Sequence, residues 1–329
     1  MTNEKKRLQW IDCIKGICMI AVIMSHLNWQ LWYARFLSPI FLTGFFFVSG
    51  YTFNAKDSFR TFVAGKVRGL LLPILFWGTL NAFLAHFIEG KSLWDRMLGL
   101  VIQVPGDWDD LWFVACLLAM ELIYYALISL FGSLRYLTCA VSLLFSIGFA
   151  YMKFMDFPLP WHMVNVCLLM PFFHFGYLAR KTEVGGKVII HLKQRSTITI
   201  LSVLYVLCVL VKNNTIDIHL LHYNSFMLFF IAAILGLGAL VGIAMNLEDC
   251  SKSNVVKGLQ FVGQNTLIYY ALQSKPIRLI LGLKAYLGMH GTFYLETIIY
   301  SIIVSLILAI PTVIVNKYFP FLVGKKYIR

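Results

Sequence analysis

The chain has 329 residues, 60% of them hydrophobic and only 13% charged, where an ordinary soluble domain carries about 25% charged residues. That balance excludes a freely soluble globular enzyme and points to a chain that lives in lipid. The formal net charge of +13 would suit a nucleic-acid binder. The basic residues are scattered between long apolar runs, however, so they read as a topology signal and as attraction to anionic headgroups. The expected surroundings are the lipid bilayer, with no nucleic-acid partner.

Runs of roughly 20 apolar residues are long enough to cross a bilayer as helices. They recur near residues 13–33, 36–54, 70–88, 111–130, 134–155, 161–179, 197–211, 223–245, 261–282 and 296–316. The expectation is an all-α polytopic membrane helix bundle of about ten transmembrane helices, forming a single integral-membrane domain over residues 1–329. The seventh run is short, and the ninth is interrupted by Gln273, Lys275, Pro276 and Arg278. An N-terminus inside puts most lysines and arginines on the cytoplasmic side and the acidic Asp107–Asp110 loop outside. Both termini are then cytoplasmic. Lys5, Lys6 and Arg7 ahead of an apolar run mimic a secretory signal, but the run carries Asp12 and Lys15 and has no small-residue cleavage site. An uncleaved first span is expected.

The first span holds Asp12, Lys15 and His26 in an otherwise apolar stretch. Ionisable groups at membrane depth are costly and mark functional sites by default. Lys15 and His26 lie eleven residues apart, about three turns or about 16 Å along one face. Asp12 is within pairing reach of Lys15 and sits near a helix start, where negative charge is favoured. A histidine buried neutral can accept a proton near neutral pH. Lys15 reads equally well as a snorkelling lysine or as a ligand-binding one.

The second span reads Phe41 to Tyr51 with Gly44, Ser49 and Gly50, small residues that let helices pack closely in membranes. Lys66-Val67-Arg68 precedes Pro73 and the third span. This pair is either positive-inside charge or a clamp for phosphate groups. Leu111-Trp112-Phe113 opens the fourth span, and Glu121 follows inside it. Trp112 fits an interfacial anchor, whereas a carboxylate at the depth of Glu121 needs a partner. His174, His219, His222, Asn265 and Gln273 are weaker candidates. The seven cysteines show no metal spacing, and no metal is expected.

Taken together, these segments resemble the acyltransferase family 3 membrane enzymes, which acylate hydroxyls of cell-envelope sugars from acyl-coenzyme A. The resemblance rests on Arg7 to His26, Phe45 to Gly50, Lys66 to Pro73, Leu111 to Phe113, Gly176-Tyr177 and Gly263 to Tyr269, in the family's order. Where the family's first span carries an arginine followed by an essential histidine, this chain has Lys15 and His26. Its Arg-x-Arg element stands here as Lys66-Val67-Arg68, and Gln273 stands near a place often held by histidine. Lysine keeps the charge but loses the planar bidentate donor.

The resemblance implies an acyl-CoA-dependent O-acetyltransferase with acetyl-CoA as donor and a glycan or other hydroxyl as acceptor, in a bacterial plasma membrane. The residues and the resemblance together give His26 and Glu121 as the expected catalytic residues and Lys15, Lys66, Arg68 and Trp112 as the expected donor-binding ones. Asp12, Ser49 and Gly50 would be structural supports. The competing reading is a polytopic transporter or flippase of glycan intermediates, which also needs many helices and buried charge.

Overall fold

A backbone in lipid has no water to satisfy its N–H and C=O groups, so long apolar segments fold as helices that bond internally. The computed structural model describes residues 8–27, 34–55, 58–106, 111–211, 216–288 and 294–325. The Lys5–Arg7 cluster, the tail of the first expected span at 28–33 and the Asp107–Asp110 loop lie outside the described residues.

The helices, in chain order, are α1 (Gln9–Leu27), α2 (Ala34–Thr52), α3 (Phe59–Lys66), α4 (Leu72–Glu89), α5 (Leu93–Ile102), α6 (Trp112–Phe131), α7 (Leu134–Phe154), α8 (Met163–Lys181), α9 (Glu183–Leu192) and α10 (Arg195–Leu210). A two-stranded ladder, β1 (Ile216–Asp217) and β2 (His222–Tyr223), follows. Then come α11 (Phe226–Asp249), α12 (Asn254–Gln264), α13 (Thr266–Leu272), α14 (Ser274–Tyr286) and α15 (Tyr294–Tyr318). Val67–Leu71 forms a π-helical turn between α3 and α4, and Pro160–His162 a 3₁₀ turn before α8.

Among the described residues, eight helices are long and apolar enough to cross a membrane, or nine if the pair α9 and α10, bent by 85°, counts as one span. The expected seventh span is α10, whose 16 residues fall short alone. The expected ninth span is broken into α12, α13 and α14. Asn265 leaves helical geometry at φ −126° and ψ 22°, and its side-chain amide donates to the Phe261 carbonyl at 2.7 Å. Pro276 sits in the first turn of α14, where its missing N–H has no intrahelical partner to lose. The fold is an all-α membrane bundle with these irregularities.

The chain divides into two compact units, the first made of Met1–Tyr51, Gly176–Ile216 and Tyr223–Ala309, the second of Thr52–Phe175, Asp217–His222 and Ile310–Arg329. In the first unit, glycines set the close helix crossings. A Cβ at Gly16 would meet the Leu259 carbonyl oxygen at 2.1 Å, and one at Gly263 would meet the Asp12 carbonyl oxygen at 1.8 Å. The two helices α1 and α12 therefore touch backbone to backbone, as small residues allow in lipid. Gly176 brings α8 onto α2 in the same way, 1.9 Å from the Phe47 carbonyl oxygen to the added Cβ. Tyr205 of α10 donates to the Phe36 carbonyl of α2, and Gly236 of α11 leaves room for the Tyr205 ring.

The second unit is built on α6, whose Met120 and Tyr124 are fully buried. Tyr124 Oη and Thr138 Oγ1 flank His174 at 2.7 Å from Nδ1 and 2.9 Å from Nε2. Both ring nitrogens are thus engaged, and His174, itself buried, is a structural histidine. Gly148 lets α7 close on Cys167 of α8. Leu143 and Ile147 on α7 stand exposed in this unit, as do Ile299 and Leu306 on α15 in the first, the pattern expected of membrane-spanning helices.

Candidate functional site

The sequence-predicted residues are divided between the two units. In the first, Asp12, Lys15 and His26 share α1. Asp12 is buried, and its Oδ2 accepts a hydrogen bond from Gln264 Nε2 at 3.2 Å. Gln264 belongs to the stretch from Gly263 to Tyr269, so that stretch fixes α1 twice, by the glycine crossing and by this bond. Trp10, at the head of α1, packs edge-on against Tyr51 of α2, with ring centroids 5.0 Å apart. Arg180 donates to the Tyr51 carbonyl at 3.1 Å. The lower end of α1 is clamped.

Lys15 is half-buried, while His26 stands in the last turn of α1 with an exposed side chain. His26 is therefore not a packing residue of the kind His174 is. The preceding Ser25 turns its hydroxyl back onto the Val22 carbonyl at 2.8 Å. Ser49 and Gly50 lie in α2 near the Gly176 crossing, the first half-buried and the second buried. Their setting is one of close helix packing, as their size suggested.

In the second unit, Lys66 Nζ meets Glu121 Oε2 at 2.8 Å, with the Glu121 side chain 8% exposed and that of Lys66 26%. The buried carboxylate that the sequence left without a named partner is held by the first cation of the Lys-x-Arg element. The same ammonium lies 5.3 Å from the Phe62 ring centre. Residues two apart on a helix point to opposite sides, and the π turn begins right after Lys66. Lys66 consequently turns inward to Glu121 while Arg68 is exposed. The two cations thus stand apart: Lys66 is paired with a buried carboxylate, and Arg68 is exposed.

The π turn is also backed by the chain's C-terminal segment. Gly324, at φ +70°, lies so close that a Cβ there would meet Gly69 Cα at 2.5 Å. Trp77 Nε1 donates to the Leu322 carbonyl at 3.2 Å. π turns inside α-helices occur frequently at functional sites. This one sits where the sequence placed donor binding.

Trp112, at the start of α6, has ring contacts with His162 (5.2 Å between centroids) and His219 (4.9 Å). His162 and His219 are themselves 5.5 Å apart. Trp112 is therefore packed into an aromatic cluster rather than standing as a lone interfacial ring. Sequence reasoning missed His162 and Gln264. A histidine two residues after Pro160 carried no pattern, and Gln264 was visible only as part of a motif. His222 lies on β2 and Gln273 between α13 and α14.

Two comparisons with known proteins bear on this arrangement. The family model described as an acyltransferase domain, that of acyltransferase family 3, matches residues 8–316. The chain is also 36% identical over 117 residues to the nodulation protein NolL of Mesorhizobium japonicum, a match covering 31% of this chain and 31% of that protein. The chain thus spans about a third of the length of this curated relative. The family match takes in α1 with His26, the Lys66–Arg68 turn, Trp112, Glu121 and the Gly263–Tyr269 stretch, so the chain belongs to acyltransferase family 3.

Proposed function

We propose that this chain is a membrane O-acyltransferase, an O-acetyltransferase that moves an acetyl group from cytoplasmic acetyl-CoA to a hydroxyl of a sugar or cell-envelope glycan. The observation that carries the reading is the family match over residues 8–316, which includes every ionisable residue proposed to act. His26 is the general base. It takes the proton from the acceptor hydroxyl as the oxygen attacks the thioester carbonyl, the carbon–sulfur bond breaks, and the departing coenzyme A thiolate receives the proton from the imidazolium. A route through an acyl-histidine keeps the same residue as nucleophile.

Arg68 meets the donor's phosphates, and Lys15 adds positive charge on α1. Glu121 acts through Lys66, holding the ammonium and with it the π turn that presents Arg68. Trp112 serves through its aromatic cluster. No metal takes part in this scheme. The proposed location is a bacterial plasma membrane, with the whole chain acting as one integral-membrane domain.

The test is transfer by purified protein in lipid nanodiscs given acetyl-CoA labelled in the acetyl group. Label should appear on a hydroxyl acceptor, and free coenzyme A thiol should accumulate. Arg68→Ala should raise the donor KM about tenfold or more, since charge-assisted hydrogen bonds are worth about 1.5–3 kcal/mol, and added salt should do likewise. A transporter or flippase would release no thiol and label no acceptor. Unchanged donor KM in Arg68→Ala would remove the phosphate role.

The orientation proposed has both termini cytoplasmic and residues 107–110 outside. With Asp109→Cys added in a background lacking the other cysteines, a membrane-impermeant maleimide should label intact cells. Labelling confined to permeabilised cells would invert the topology and move donor entry to the other face.

A further inference from the structure

The second unit contains a cavity of about 320 Å³, near the lower end of small-molecule sites, which span about 300–1,000 Å³. Segments distant in sequence meet around it: the end of α7 with the loop after it, the start of α8, and the turn leading into β2. Nine of its fourteen described lining residues are apolar, among them Met152, Phe157, Leu159 and Leu220. Such walls suit an apolar body. A ligand polar all round would leave its own groups unpaired against them.

The few polar groups of the lining are biased towards accepting. Asn165 is 1% exposed and turns its Nδ2 to the His219 carbonyl at 3.4 Å. A carbonyl only accepts, which fixes the orientation of the amide and leaves Oδ1 with no hydrogen-bond partner among the described residues. A buried acceptor in that state calls for a ligand, an ion or a water. Tyr151 spends its hydroxyl proton on the Phe157 carbonyl at 2.9 Å, so its oxygen has only lone pairs left to offer. Asp156 adds a carboxylate, and no lysine or arginine is among the described lining residues. The imidazoles of His162 and His222 can serve in either direction. His162 and Leu221 also hold left-handed backbone, at φ +52° and +59°, a strained conformation that clusters at ligand clamps.

Acceptors with no cation beside them favour a ligand that brings both the hydrogens and the positive charge. The aromatic rings of Tyr151 and Phe157 on the lining attract cations as well. We propose that this cavity binds a small amphipathic amine, a primary ammonium carried on a compact apolar body. The ammonium donates to Asn165 Oδ1 and Tyr151 Oη, Asp156 supplies the countercharge, and the body lies against the methionine and leucine side chains. A phosphate or carboxylate finds no cation here, and an alcohol offers one donor where the ammonium offers three. The site lies wholly within the second unit and is independent of the acyl-transfer reading.

The experiment is binding to the full chain in nanodiscs, read by saturation-transfer NMR. Irradiating aromatic protons, which the lipid lacks, singles out the protein, and empty nanodiscs give the background. The probes are cyclohexylamine, cyclohexanol and cyclohexanecarboxylate, one apolar body with a cationic, a neutral or an anionic head. Cyclohexylamine should bind about tenfold more tightly than cyclohexanol, and the carboxylate should not bind. Asp156→Asn should weaken cyclohexylamine about fivefold and leave cyclohexanol unchanged, whereas Asn165→Leu should weaken both about tenfold. Asp156 is exposed, so its replacement reports on the site even if Asn165→Leu does not fold. Cyclohexylamine signal no stronger than background, equal affinity for amine and alcohol, or binding of the carboxylate overturns the proposal. So does wild-type affinity for the amine in Asp156→Asn or in folded Asn165→Leu.

Discussion

His26→Gln protein should accumulate, fold and bind coenzyme A like wild type, yet lose about 10²–10⁴-fold of its acyl transfer, the usual share of a general base. Glutamine keeps a hydrogen-bonding group but cannot take the proton from the acceptor. The structural half of this expectation comes from exposure: His26 stands open at the end of α1, so no core collapses when it is replaced. His174 provides the contrast. It is 2% exposed and bonded through both ring nitrogens, so His174→Gln should lower thermal stability, with activity falling only as folded protein is lost. Transfer by folded His26→Gln near the wild-type rate would end the catalytic assignment.

Gly263→Ala should cost much of the folded yield. The new Cβ would lie 1.8 Å from the Asp12 carbonyl oxygen, a backbone atom that cannot swing aside, so α12 must back away from α1. Overpacking a tight contact costs typically about 1–3 kcal/mol, and here the Gln264–Asp12 bond is lost with it. Gly258→Ala is the internal control. It sits on the same helix with nothing within 4 Å of its added Cβ, and alanine is favoured over glycine in a helix by about 1 kcal/mol. Thermal denaturation monitored by size-exclusion chromatography should therefore move the two variants in opposite directions. Equal melting of the two would show that the α1–α12 crossing does not depend on the missing side chain.

The membrane character and most spans were legible because apolar length is a local property. That Asp12, Lys15 and His26 share one helix was legible for the same reason. The ion pair between Lys66 and Glu121 was not, because its partners are brought together only by the packing of α3 against α6. The break of the ninth run was foreshadowed by Gln273 and Pro276, yet its exact point, Asn265, depends on a side-chain bond to the Phe261 carbonyl. The left-handed backbone at Trp161, His162 and Leu221 was invisible, because residues of those types carry no signature of it, and strands of two residues carry no alternation to read.

The π turn at Val67–Leu71 has a consequence for how this stretch tolerates change in length. Such a turn is an α-helix carrying one residue too many, and its wider loop takes up the extra residue locally. Deleting one residue of the turn would restore regular winding and leave α4 on nearly its present bearing, with Trp77 still aimed at the Leu322 carbonyl. The turn itself would change, and Arg68 would shift relative to Lys66. An insertion meets no such slack, since each further residue of an α-helix rotates the following chain by about 100°, so this segment tolerates a change of length in one direction only.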